Sequence, residues 1–174
     1  TYLRASLGGY EGRELKNGDI LKINKNVSRV NYTLKSLEKK HRPDFSQKKI
    51  RIIMGPQDDY FSKKGVSEFL HGEFKVSKQA DRMGYRLKGP EIEHIDSADI
   101  ITDGIAEGSI QVSGNGKPII MLADRQTTGG YAKIATVITV DIDIVSQKKP
   151  GDLIIFEKIG LKKAQKLLKR RREL

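Results

Sequence analysis

Leu122-Ala123-Asp124-Arg125-Gln126-Thr127-Thr128-Gly129-Gly130-Tyr131-Ala132-Lys133 lies between two apolar runs, Ile119-Ile120-Met121-Leu122 and Ile134-Ala135-Thr136-Val137-Ile138. Runs this short, β-rich and bounded by turn residues read as buried strands. Between them stand an acid, two bases, an amide, two hydroxyls, two glycines and a phenol. Paired glycines allow positive φ, so successive N–H groups of Gly129 and Gly130 can point one way and cradle an anion. A water-facing hairpin loop is the plainer alternative. Directly against a buried strand, however, Asp124, Arg125 and Gln126 must each find a partner or meet a ligand. The stretch is therefore read as a site.

Shorter runs of the same kind occur on both sides of it. Ser109-Ile110-Gln111-Val112 is a strand closed by Gly114-Asn115-Gly116, while Glu73-Phe74-Lys75-Val76 and Tyr85-Arg86-Leu87-Lys88 alternate as half-buried strands do. Lys48-Lys49-Ile50-Arg51-Ile52-Ile53-Met54 is a strand stopped by Gly55-Pro56. Near the start, Leu15-Lys16-Asn17-Gly18-Asp19-Ile20-Leu21-Lys22-Ile23 pairs an Asn-Gly turn with an alternating strand. Lys149-Pro150-Gly151-Asp152 supplies a similar turn ahead of Leu153-Ile154-Ile155-Phe156.

Helical signals are fewer. Residues 61–70 carry the clearest one, with Ser62 as cap, Phe61 stapled onto Val66, an apolar face of Val66, Phe69 and Leu70, and Gly72 as terminator. Residues 141–147 read as a helical turn. Leu161, Ala164, Leu167 and Leu168 form a stripe with Lys and Arg crowded at its C-terminal end, where they complement the helix dipole. Residues 1–12 are Gly-rich and irregular, and residues 24–49 form a basic surface connection. Many short strands with two or three helices predict a mainly β fold, a barrel or sandwich.

At 174 residues the chain suits one domain with a real core. No apolar run approaches the roughly 20 residues of a membrane-spanning helix. The absence of cysteine excludes disulfides, thiolate metal sites and a cysteine nucleophile, and fits a cytoplasmic protein. The first residue is Thr, and nothing resembles a signal peptide. The net charge of +11 first points to a polyanion. Much of the excess sits in residues 35–49 and 158–172, acids and bases mix closely from 55 to 143, and there is no Trp. Two solvated basic segments are therefore expected, and neither nucleic acid nor membrane as partner.

Familiar catalytic motifs are missing. Gly114-Asn115-Gly116-Lys117 lacks the length and hydroxyl of a phosphate loop, and His41, His71 and His94 lack ligand spacing, so no metal site is expected. What the chain does carry is polar clusters at strand ends: Gly55-Pro56-Gln57-Asp58-Asp59, Asp81-Arg82-Met83-Gly84-Tyr85-Arg86, Asp103-Gly104, Gln111 and the opening stretch. Each Asp-Arg pair can be a structural ion pair. Alternatively, Arg82, Arg86 and Arg125 serve as planar donors for a carboxylate or phosphate, oriented by the aspartates. The two Asp-Arg segments are then expected to meet across one barrel mouth as a positively lined pocket.

These clusters, in this order, together with Asp99-Ile100-Ile101-Thr102-Asp103-Gly104-Ile105-Ala106, Gly108-Ser109-Ile110-Gln111-Val112 and the opening Tyr2-Leu3-Arg4-Ala5, resemble the KipA-like family. That family is also called allophanate hydrolase subunit 2, or the C subunit of 5-oxoprolinase, and it is similar to the carboxyltransferase domain of urea carboxylase. The resemblance covers nearly the whole chain. It implies a cyclophilin-like β-barrel over residues 1–160 with a basic C-terminal helix at 161–174. It further implies one component of an ATP-dependent hydrolase, using ATP with Mg2+, that opens 5-oxoproline to glutamate. The implied partners are two other components of that hydrolase, a KipI-like protein (the B subunit) and a LamB/YcsF-like protein (the A subunit).

Within that reading, Asp124, Arg125, Lys133 and Arg82 are the candidate catalytic residues. Arg86, Gln126, Thr127, Thr128, Gly129, Gly130, Tyr131, Gln57 and Gln111 are candidates for binding substrate or phosphate. The alternatives are a KipA-type regulator that antagonises a KipI-like kinase inhibitor, and a urea- or allophanate-type carboxyltransferase domain. Family members carry a similar length of chain ahead of the Thr-Tyr-Leu-Arg segment, and that half is absent here. The chain also lacks a biotin attachment motif, so carboxyl transfer would need a biotinylated partner.

Overall fold

Alternation of apolar residues decides the architecture. In strand β1 (Lys49–Met54), Ile50 and Ile52 are buried, and the other six wall strands either alternate in a similar way or are buried on both faces. These strands are β2 (Phe74–Val76), β3 (Gly84–Lys88), β5 (Ser109–Val112), β6 (Pro118–Met121), β8 (Lys133–Val137) and β9 (Leu153–Lys158). They close a seven-stranded barrel in the order β1-β8-β5-β6-β3-β2-β9. The β1–β9 pair is parallel and the others are antiparallel. Each inward isoleucine adds about 2 kcal/mol of burial.

The computed structural model describes residues 3–23, 36, 38, 42 and 44–173, in two units divided between Lys40 and His41. Most of the 24–49 connection, His41 and Tyr2 lie outside the described residues. The larger unit holds the barrel and helices α1 (Lys63–His71), α2 (Ile142–Ser146) and α3 (Leu161–Arg172). Ser62 caps α1 by accepting the N–H of Gly65, as the sequence predicts. Phe69 of α1 stacks on Phe156 at 4.6 Å between ring centres, and Phe74 completes the aromatic cluster. Arg51 points outward from β1 and is held by the fully buried Asp141, whose carboxylate also accepts the Arg51 backbone N–H. No described helix is long and apolar enough to cross a membrane.

In the smaller unit, Arg13 grips Asp19 through two hydrogen bonds of 2.8 Å and lies over the Tyr10 ring. The grip holds the Asp19 carboxyl down at about 2. Gly12 takes φ +68°, and a side chain there would strike the Ser6 carbonyl. The turn expected at Asn17-Gly18 forms, with Asp19 N–H donating to Lys16 O. The strand expected after it does not form: Ile20 and Ile23 are exposed and no ladder pairs them. Alternation alone does not make a strand where no partner edge is available.

Strand β4 (Asp99–Gly104) was not anticipated from the sequence. It pairs with β7 (Thr128–Tyr131) as a separate two-stranded arm. The arm rests on the outer wall of the barrel: Ile105 packs on Ile119 and Met121, and Ala132, just past β7, accepts the Val112 N–H of β5. Gly129 and Gly130 thus sit in an extended strand and are not among the glycines with positive φ. This corrects the anion-cradling turn expected there. Gly129 is small because the arm lies close, since a Cβ would come within 2.7 Å of Ile105 Cδ1 and 3.1 Å of Gln111 Nε2.

Candidate functional site

Outward-facing residues of the wall line up by register. Lys133 of β8 pairs Gln111 of β5, Gln111 pairs Ile119 of β6, and Ile119 pairs Arg86 of β3. Three of these four are polar, and a polar residue on a wall is normally wet. Beneath the arm, however, Lys133 is only 3% exposed and Gln111 2%. Each must therefore be satisfied from the arm or from the loop after β1.

The structure shows how. Lys133 Nζ donates to Asp103 Oδ2 of β4 at 2.7 Å. Gln57 bridges the two, its Oε1 accepting the Lys133 backbone N–H at 3.2 Å and its Nε2 donating to Asp103 Oδ2 at 3.4 Å. Gln111 Nε2 donates to Tyr131 O at 3.1 Å. Gly55 permits this approach, since its N–H donates to Ile134 O and a Cβ there would fall 2.2 Å from Lys133 O. The Lys133 hydrogen bond, followed by the N–H of Gly104, holds the Asp103 carboxyl below the ordinary aspartate range. Asp103 is half exposed while Lys133 is buried. Among the described residues Nζ has Asp103 as its sole hydrogen-bond partner, which leaves two ammonium protons without one. The arrangement suits a donor that stabilises developing negative charge on an oxygen.

Of the remaining candidates, Tyr131 and Gly129 touch Gln111, and the others make contacts of their own. The two Asp-Arg segments do meet: Arg82 Nε and Nη2 donate to Asp124 at 2.7 and 3.0 Å, and Leu122 N–H donates to Met83 O. At that junction the guanidinium groups of Arg82 and Arg125 are held by acceptors of the protein itself. Arg82 spends its charge on Asp124 in an exposed pair, which also holds the Asp124 carboxyl below the usual range. Arg125 turns back onto the protein, donating from Nε to Ile105 O at 3.0 Å and from Nη1 to Leu122 O. Arg86 lies farther along β3 on the outer wall.

Gln126 lies beside Gly129, Thr127 O accepts the Ile105 N–H, and Thr128 and Tyr131 are exposed on β7. Sequence reading had Lys133, Gln57 and Gln111 as candidates and missed Asp103 as their partner. The Asp103-Gly104 pair was visible, but nothing local signalled its contact with a residue 30 positions on. No cluster of three or more metal-ligating side chains occurs among the described residues. His71 hydrogen-bonds Ser67 near the end of α1, and the His94 ring lies tilted against Phe61 at 4.7 Å.

Residues 1–158 match the family described as the carboxyltransferase domain, subdomain A and B. The chain is 36% identical over 168 residues to the 5-oxoprolinase C subunit of Haemophilus influenzae, covering 96% of this chain and 52% of that protein. It is 35% identical to the 5-oxoprolinase C subunit of Escherichia coli, covering 95% and 52%. It thus spans about half the length of these relatives. The Kluyveromyces lactis urea amidolyase crystal structure superposes with a TM-score of 0.82 at 27% identity, over 97% of this chain and 11% of that one.

Proposed function

The chain belongs to the carboxyltransferase-domain family, and from that premise we propose that it acts as the C subunit of an ATP-dependent 5-oxoprolinase complex. Similarity to two bacterial 5-oxoprolinase C subunits along nearly its whole length supports this reading. A KipI-like protein and a LamB/YcsF-like protein are the proposed partners, and ATP with Mg2+ the co-substrate. The seven-stranded barrel is the proposed cyclophilin-like part, and α3 (Leu161–Arg172) follows it as a basic helix.

The observation that carries the chemistry is the buried Lys133 ammonium with two protons to spare, braced by Asp103 and Gln57. An unstrained amide is a poor electrophile. ATP phosphorylates the lactam oxygen with release of ADP, one water adds to that carbon and the ring C–N bond breaks as the nitrogen takes up a proton, and a second water hydrolyses the resulting acyl phosphate to glutamate and phosphate. Lys133 donates to the oxygen on which charge gathers, worth a factor of about 100–1,000 for one preorganised donor. Arg125 acts as a positioning residue that ties the arm to the end of β6 through the Ile105 and Leu122 carbonyls.

The likeness to urea amidolyase favours a second reading, carboxyl transfer from a biotin borne on another chain. One assay separates the possibilities. The chain is combined with the KipI-like and LamB/YcsF-like partners, ATP and 5-oxoproline, and glutamate is measured with and without avidin. Glutamate formation that depends on this chain and resists avidin is the expected result. Inhibition by avidin favours carboxyl transfer. Binding to the KipI-like partner without glutamate favours a regulatory KipA-type role.

A further inference from the structure

A concavity opens on the barrel wall, lined by none of Lys133, Gln57, Gln111 or Asp103. It has a volume of about 420 Å³ and lies between the loop after β2, strand β3 and the 113–117 turn. Small-molecule sites are of this size. Three of its ten lining residues are cations, Arg86, Lys88 and Lys117, and none is acidic. That is uneven for a stretch of chain in which acids and bases are otherwise closely mixed.

The polar groups around it are set as donors. Asn115 Oδ1 accepts both the Ser113 hydroxyl at 2.8 Å and the Lys117 N–H at 3.1 Å, which leaves its NH2 to donate elsewhere. Ser77 Oγ accepts the Gln79 N–H, so its own proton remains available. Lys117 Nζ is steered by Gly89 O at 2.8 Å and keeps two protons. Among the described residues the side chains of Arg86 and Lys88 make no hydrogen bond or ion pair. Three like charges gathered around one hollow repel one another until an anion enters.

We propose that this groove binds the phosphate groups of a small phosphorylated ligand, either a nucleotide's polyphosphate chain or free phosphate. Three cationic heads with hydroxyl and amide donors exceed what a single carboxylate can engage, and they match several phosphate oxyanions. No aromatic side chain lines the groove, so it offers no platform on which a base could stack. Recognition therefore follows phosphate number and is indifferent to the base. The proposal stands independently of the 5-oxoprolinase reading.

The test is calorimetric titration of the 174-residue chain alone with phosphate, tripolyphosphate, AMP and ATP. Saturable one-to-one binding is expected, similar for tripolyphosphate and ATP and at least about tenfold weaker for phosphate and AMP. The double variant Arg86→Gln/Lys88→Gln, which breaks no internal bond, should weaken tripolyphosphate at least about tenfold. The charge-matched control Lys162→Gln/Lys166→Gln on α3 should stay within about twofold of wild type. Equal losses in both variants, non-saturable binding, or ATP binding far more tightly than tripolyphosphate would overturn the proposal. Because no turnover is measured, any of these results leaves the role assigned to Lys133 untouched.

Discussion

At the scale of single residues, the coupling between Lys133 and Asp103 has a consequence in pH. Asp103 is held below the ordinary aspartate range chiefly by the hydrogen bond from Lys133. A carboxyl depressed in the folded state contributes fully above its unfolded pKa of about 3.9, and the contribution fades as pH falls through the lower folded value. An NMR titration of the Asp103 carboxyl should therefore show a midpoint below that of a free aspartate. In Lys133→Met the midpoint should climb back toward about 3.9. An unmoved midpoint would mean that the ammonium does not set it. The surface pair Arg82–Asp124 has the same chemistry without the burial, and solvent screening leaves exposed pairs of this kind with little effect on stability. Burial, more than residue type, is what distinguishes Lys133 from the arginines that stood out in the sequence.

At the scale of elements, the α1 helix illustrates how packing overrides propensity. Gly65 lies in the first turn of α1, where alanine is ordinarily better by about 1 kcal/mol. Here a Cβ would sit 2.3 Å from Glu93 O and 2.8 Å from Glu93 N, backbone atoms that cannot move aside cheaply. Gly65→Ala should therefore lower stability by about 1–3 kcal/mol, read as a reduced urea midpoint. A raised midpoint would show that the helix and the 91–95 segment can separate freely. The wall strands and α1 were legible because apolar runs and a capping serine are local signals. Strand β4 was not, because it lies outside the barrel with Ile101 94% exposed and has no buried alternation to betray it. Gly129 and Gly130 misled for a related reason: two glycines look the same whether they allow positive φ or close approach, and only the packed arm decides between them.

At the scale of the whole molecule, the barrel provides a wall and the β4–β7 arm a cover. Their shared face buries polar groups that neither could satisfy alone. That face was only half legible: Gln57, Gln111 and Lys133 stand next to recognisable strands, but the idea that they gather beneath an arm depends on pairings between distant parts of the chain. There the braced Lys133 ammonium is proposed to do chemical work for a 5-oxoprolinase assembly. The direct measurement is glutamate formation from 5-oxoproline and ATP by the complex with the KipI-like and LamB/YcsF-like partners, carrying either wild-type Lys133 or Lys133→Met. Binding of the KipI-like partner is followed in parallel. Turnover should fall at least about 100-fold in Lys133→Met with that partner still bound; a wild-type rate from the Lys133→Met complex would remove Lys133 from the chemistry.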